Sequence, residues 1–286
     1  MIRTAASLLC KGATIGYISD VHSEFHKGGK AVQHLGRSNC DVLVLAGDIG
    51  NPFSHDGSYR KFLEACTGTA KHTLVMAGNH EYYQGNRYSM SQTKMKMTSV
   101  CGSINSSNLV GKVHFIDNDA FVYQVPESGH KIRFICSTLW SDISKEHEFD
   151  VYKSIRDYEL IMGFTPSLSR KLYRDSCEFI NERLMDAEWQ GHDRTNIVVT
   201  HHAPSTTGVS APCYLGSPLT SAFATDFKYF GGKAQAHPPY AWIFGHTHFN
   251  VARWDTQLGT ILLSNQVGYP GEDCGMVCDW DAEKTD

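Results

Sequence analysis

Ala241-Trp242-Ile243-Phe244-Gly245-His246-Thr247-His248 is the stretch from which the rest of the chain can be read. Four apolar residues in succession make a short strand buried on both faces. The run stops at a glycine, where the backbone can turn sharply and approach a bound ion or phosphate closely. Two imidazoles follow, one residue apart. Working outward, four more apolar runs end in polar blocks. Residues 13–18 lead to Asp20-Val21-His22, and residues 42–46 to Gly47-Asp48. Residues 73–77 lead through Gly78 to Asn79-His80-Glu81, and residues 197–199 to Thr200-His201-His202. Five strand ends would thus bring carboxylate, amide and imidazole groups to one rim, and open α/β sheets bind ligands at such ends.

Each block has a plainer explanation when taken alone. Asp-x-His after a strand makes a turn with a surface histidine, and Gly-Asp makes a turn. Asn before His-Glu caps a helix, and His201-His202 makes a buried, satisfied pair. Five blocks in this order at five strand ends are not explained that way. The donors suit a pair of borderline metals. Imidazole accepts zinc, iron or manganese, oxygen donors favour manganese or iron, and no block contains a thiolate. Two ions about 3.5–4 Å apart and sharing a carboxylate can hold a hydroxide for in-line attack on phosphorus.

The set Asp-x-His, Gly-Asp, Gly-Asn-His-Glu, a strand-terminal His and Gly-His-x-His resembles the calcineurin-like metallophosphoesterase superfamily. The resemblance spans roughly residues 13–270 with every block intact. It implies a binuclear centre of two divalent or trivalent transition-metal ions (Mn, Fe or Zn). One would be held by Asp20, His22, Asp48 and His248, the other by Asp48, Asn79, His201 and His246, with Asp48 as the bridge. It also implies that His80 contacts the phosphoryl oxygen and protonates the leaving group. His201 is preferred to His202 because it comes first after the strand.

Departures from neighbouring branches narrow the class. Protein Ser/Thr phosphatases extend the second block to Gly-Asp-x-Val-Asp-Arg-Gly, whereas this chain continues Gly47-Asp48-Ile49-Gly50-Asn51-Pro52. Asn79-His80-Glu81-Tyr82-Tyr83, Leu139-Trp140-Ser141-Asp142 and the stretch 265–272 with Gly268-Tyr269-Pro270-Gly271 resemble small bacterial and phage metallophosphoesterases. That subgroup leads one to expect Asn-Pro and a basic residue before Gly-Tyr. Here Asn265-Gln266-Val267 stands instead, so a phosphate-facing charge is absent or displaced.

Composition fits a compact enzyme of 286 residues with a formal net charge of −4 and a pI near 6.4. Long nucleic acid normally needs a basic face, so the expected partner is a small phosphorylated substrate. Lys94 with Lys96 is the nearest thing to a basic cluster and reads as a solvated face. The blocks must converge, so residues 1–286 read as one domain. Nine scattered cysteines without Cys-x-x-Cys read as reduced thiols in cytoplasm. Residues 1–10 carry no clean leader pattern, and no apolar run is long enough to span a membrane. Oligomeric state has no sequence signal.

The expected fold is α/β: a four-layer α-β-β-α sandwich of two mixed β-sheets flanked by helices. Residues 113–116, 120–125 and 131–136 read as three successive strands joined by turns, a meander that would build the second sheet. Helical spacing appears over 56–66, 169–188 and 219–229, while 89–107 reads either as helix or as loop. Residues 139–163 and 205–218 read as loops, the former a candidate cap over the metal site. There Trp140 and the tyrosines would either face substrate or pack the loop down. Arg156 would meet a phosphate or pair with Asp157 or Glu159. The function expected is hydrolysis of a phosphomonoester or phosphodiester of nucleotide-like size. The alternatives are a nuclease, disfavoured by the acidic balance, and a non-catalytic protein-binding scaffold, which should have lost ligands and has lost none.

Overall fold

A computed structural model of the chain describes residues 4–36, 39–107, 109–229 and 238–275. In the first sheet β1 (Ala6–Cys10) turns back on β2 (Ala13–Ile18), which is followed by β3 (Cys40–Leu45), β4 (Ala70–Val75) and β5 (Lys112–Phe115). These strands lie side by side in chain order, parallel from β2 onward. Helices α1 (Ser58–Cys66) and α2 (Met90–Asn105) make the crossovers. The second sheet takes β6 (Asp119–Gln124), β7 (Lys131–Ser137), β8 (Arg194–Thr200), β9 (Ala241–Phe244), β10 (Ala252–Asp255) and β11 (Thr260–Ser264) in the order β10-β11-β9-β8-β7-β6. Between β7 and β8 lie the short α3 (Glu148–Ser154) and α4 (Asp157–Leu160) and the long α5 (Pro166–Leu184).

Three cores separate four layers. Alternate residues of β2 and β3 divide between them: Ile15, Val42 and Val44 face Phe134, Ile197, Val199 and Ile243 across the sheet–sheet interior. Ile18, Leu43 and Leu45 face Phe62 of α1 and Met97 and Ile104 of α2. On the far side Val198, Trp242 and Leu262 meet Ile180 and Leu184 of α5. Both faces of each central strand are covered, which is why the runs are apolar without alternation. The architecture is the α-β-β-α sandwich of two mixed sheets expected from the pattern.

Four local expectations need correction. Residues 113–116 do not join the second sheet. After α2 the strand returns parallel to β4, and Asn105 at the helix end clamps it, donating from Nδ2 to the Val113 carbonyl (2.7 Å) and accepting its N–H (2.8 Å). Of the three expected meander strands, β6 and β7 alone pair antiparallel. Residues 219–229 form a single turn, Thr220–Ala222, instead of a helix. Thereafter the chain bonds to residue 203 in extended form, with Thr225 N donating to the Ala203 carbonyl at 3.1 Å, and Phe227 is buried against Trp242. Burial of an aromatic overrode helical spacing there. Residues 139–163 are not a continuous loop: α3 and α4 fill much of the stretch, and Trp140 takes the packed alternative, buried against Phe164 and Tyr82. Finally, β1 lies where no strand was expected.

The ambiguous stretch 89–107 resolves as α2, started by a capping box in which Ser89 and Gln92 satisfy each other's backbone N–H. Lys94 pairs with Asp117 (2.5 Å) and Lys96 lies over Phe53, so the lysine pair belongs to a solvated face. Helix α5 starts at Pro166, three residues before the expected stretch, where Thr165 caps it from outside. None of the helices among the described residues is long and apolar enough to cross a membrane. The cysteines among them are free.

Candidate metal centre

The parallel strands of both sheets end on one rim, and the chain leaves each end in a tight turn. The turns are bonded to one another. Asp20 N donates to Gly47 O (3.1 Å), His22 N to Asp48 O (3.0 Å) and Gly245 N to His201 O (2.9 Å). Asp20, His22, Asp48, His246 and His248 all have positive φ, between 47° and 71°. In non-glycine residues that conformation costs on the order of 1–3 kcal/mol each, and such strain persists only where surrounding structure enforces it. Two glycines are required by space as much as by conformation. A Cβ at Gly78 would stand 2.2 Å from Asp48 Oδ1 and 2.6 Å from His201 Nε2. One at Gly47, whose φ is +88°, would stand 2.4 Å from His201 Nδ1.

Two groups of donors converge on this rim. Asp20, His22 and His248 form the first, with Nε2 of the two histidines 3.3 Å apart and His248 Nε2 3.4 Å from Asp20 Oδ1. Asp48, His201 and His246 form the second. His201 Nε2 lies 3.4 Å from Asp48 Oδ1 and 3.0 Å from Asn79 Oδ1. Asp48 also groups with His22 and His80, which places it between the two clusters. All seven residues predicted as ligands are therefore together, and all but His248 are buried.

The residues fit cations. His22 Nδ1 is buried without a hydrogen-bond partner, and its Nε2 meets another imidazole nitrogen. Adjacent ligands of one ion bound at about 2.0–2.1 Å have roughly that spacing. Burial works against charge on His201 and His248, yet neighbouring carboxylates hold both up. Asp48 raises His201 to about 9, while Asp20 and Glu272 raise His248 to about 10. Burial opposes ionisation of Asp20 and Asp48, but the surrounding histidines keep both below the usual carboxylate range. A proton on either histidine thus stands where the carboxylates call for positive charge.

The supporting contacts decide which atoms face inward. His201 Nδ1–H donates to the Ala46 carbonyl (2.9 Å), turning Nε2 to the cluster. Glu272 accepts from His248 Nδ1 (2.7 Å), and Ser19 donates to Asp20 Oδ2 (2.5 Å). Ligating histidines usually have such partners. His202 turns away: its Nδ1 donates to the Thr138 carbonyl (3.3 Å), and its ring lies 4.1 Å from that of His246. Burial, then the neighbouring His201, holds it down at about 3. His80 stands at the mouth. Its ring stacks on Tyr83 (4.2 Å), its N–H donates to Asp48 Oδ1 (2.8 Å), and Nε2 lies 3.1 Å from the Tyr269 hydroxyl. Burial lowers its pKa, opposed by Asp48.

Sequence reasoning assigned no role to several of these supports. Glu81 is fully buried and accepts four backbone N–H groups: Gly78 (2.7 Å) and Asp48 (3.1 Å) at Oε2, Ile49 (2.8 Å) and Gly50 (3.3 Å) at Oε1. Its place inside the third block was the available signal. Gln266 fills the position where a proline was expected, and Val267 the one where a basic residue was. Gln266 is buried, accepts from His248 N (2.5 Å) and donates to the Phe249 carbonyl (2.9 Å), so this position serves the ligand loop. Asp157 was read only as a partner for Arg156, whereas it bonds to Asn79 and Tyr83, and Tyr269 was seen within its Gly-Tyr-Pro-Gly motif but given no role.

Two neighbouring clusters of imidazole and carboxylate, with Asp48 between them, thus lie at the carboxyl edge of a double-sheet sandwich, where open α/β sheets bind ligands. The chain belongs to the calcineurin-like phosphoesterase family, whose pattern matches residues 13–250. It is 30% identical over 275 residues to "Uncharacterized protein L509" of Acanthamoeba polyphaga mimivirus, covering 90% of this chain and 91% of the relative. Its fold is similar to phosphopantetheinyl hydrolase (PptH) from Mycobacterium tuberculosis, with a TM-score of 0.66, 18% identity, and coverage of 90% of this chain and 89% of that one. A dimetal phosphatase from Danio rerio matches at a TM-score of 0.49 and 14% identity, over 89% and 88% of the two chains.

Proposed function

We propose that the protein hydrolyses a phosphomonoester or phosphodiester of a small, nucleotide-like substrate in the cytoplasm, using two transition-metal ions. Asp20, His22, Asp48 and His248 would hold one ion, and Asp48, Asn79, His201 and His246 the other, with manganese, iron or zinc all compatible with the donors. What carries the proposal is the convergence of seven donor residues, Asp48 in their midst, with the His22 and His248 nitrogens 3.3 Å apart. When bound, the ions would supply positive charge for phosphoryl oxygens and an activated water. Free thiols among the described residues suit a reducing compartment.

His80 is the group we assign to the leaving oxygen. Tyr83 against its ring and the Asp48 bond to its backbone fix it, and its Nε2 faces the mouth beside Tyr269. Because burial holds its pKa down, a proton on Nε2 is readily given up. The test is a panel of nitrophenyl monoesters and diesters, nucleotides, cyclic nucleotides and a phosphopantetheinyl conjugate, the last prompted by the Mycobacterium tuberculosis structure. It is assayed with each metal for wild type and His80→Ala. We expect His80→Ala to keep its metals and lose about 10²–10⁴-fold in turnover, less for nitrophenyl esters, whose leaving oxygen needs little protonation. Equal losses for good and poor leaving groups would refute the acid role. A folded, metal-loaded wild type inert to the whole panel would favour the scaffold alternative.

A further inference from the structure

We infer that Asp157 is a positioning residue for the second metal ion: it fixes which end of the Asn79 amide faces the cluster. The inference rests on Asn79 being a ligand, as proposed above. An asparagine amide has one end that can ligate, the oxygen, and one that cannot, the NH2. In this chain the NH2 end is claimed twice. Asn79 Nδ2 donates to Asp157 Oδ1 at 2.9 Å and lies 3.2 Å from the Tyr83 hydroxyl. Tyr83 donates in turn to the same Asp157 oxygen at 2.5 Å. With the nitrogen so held, Oδ1 faces His201 Nε2 at 3.0 Å. A flipped amide would set its oxygen against a buried carboxylate and its N–H groups against the ion.

Asp157 touches the rim through Asn79. It is buried at the start of α4, outside all of the donor groups. The segment that carries it is bonded to the Asn79 loop, where Gln84 N (3.3 Å) and Gly85 N (3.2 Å) donate to the Leu160 carbonyl. A buried carboxylate is costly unless hydrogen-bonded, so the geometry that satisfies Asp157 also holds the ligand. The stretch 139–163 thereby acquires a role: it buttresses the centre from behind.

The experiment titrates metal-free protein with Mn2+ by calorimetry, for wild type, Asp157→Ala, Asn79→Asp and the pair Asn79→Asp/Asp157→Asn, with circular dichroism to establish folding. Asp157→Ala should weaken the second ion by about 10–100-fold and leave the first unchanged. Asn79→Asp sets two carboxylates against each other and should also weaken the second ion. Adding Asp157→Asn restores a donor–acceptor pair in reverse and should recover about tenfold or more, a coupling that general loss of stability would not produce. Equal weakening of both ions in Asp157→Ala would overturn the inference. So would absence of recovery in the reversed pair, which also decides the matter if Asp157→Ala does not fold. A wild type that takes up only one ion would overturn the two-metal assignment itself. A wild type with two ions beside an unchanged Asp157→Ala would overturn the positioning role alone.

Discussion

Glu81→Gln exchanges one of two buried carboxylate oxygens for a group that can only donate. Glu81 accepts four backbone N–H groups, two at each oxygen, so whichever oxygen becomes NH2, two N–H donors lose their acceptor and face another donor. The milder choice abandons Ile49 at 2.8 Å and Gly50 at 3.3 Å. A buried donor left unpaired costs about 1–3 kcal/mol, so two cost roughly 2–6 kcal/mol. That is a large share of the roughly 5–15 kcal/mol that holds a domain folded. Burial and the nearby Asp48 push Glu81 up to about 8, while the N–H groups of Gly78 and Ile49 pull it down. Measurement above that pH therefore compares the ionised carboxylate with the amide. The assay is denaturant unfolding of chelator-treated protein, which removes stabilisation by bound metal. The same variant should bind metal more weakly, since the two loops that Glu81 joins carry Asp48 and Asn79. A Glu81→Gln protein within about 0.5 kcal/mol of wild type, the range of a surface substitution, would show that Glu81 does not tie the loops together.

Asp48→Asn should weaken both metal sites, because Asp48 stands between the clusters; full occupancy by elemental analysis would refute the bridge. His201→Ala should empty the second site, whereas His202→Ala should lower affinity or rate by about 10–100-fold, as a supporting group does. If His202→Ala strips a metal and His201→Ala keeps both, the ligand assignment is off by one residue. His202 also predicts a pH effect. Its folded pKa, about 3, lies below the ordinary 6.5, so between these values the unfolded chain binds more protons. Its contribution is present above pH 6.5 and lost as pH falls toward 3. His202→Leu should flatten that acid limb by up to about 1.4 kcal/mol per pH unit, and an identical slope would refute the buried neutral state.

Much of the candidate site was legible because each ligand lies at the end of a run the eye can find. The five apolar runs name the central strands, and the polar residues at their ends need only short turns to reach one rim. Residues 113–116 were visible as a strand but not as a member of the first sheet, because strand pattern says nothing about which neighbour a strand joins. That was settled by the α2 crossover and the Asn105 clamp. Helical spacing at 219–229 misled because Phe227 is buried by contact with Trp242, a partner on another strand. His201 could be preferred to His202 in the sequence only for coming first after the strand; in space the Ala46 and Thr138 carbonyls hold the two rings in different directions.

The sequence by itself indicated the layers and the strand ends, since these follow from apolar periodicity, while the candidate donor set came from the resemblance of the blocks at those ends to a known family. Only the tertiary structure decided how the donors are aimed. Glu272 reaches His248 from 24 residues away, and Asp157 reaches Asn79 across 78 residues. A hydrogen bond depends on distance and angle in space, and neither is written in the spacing of residues so far apart along the chain.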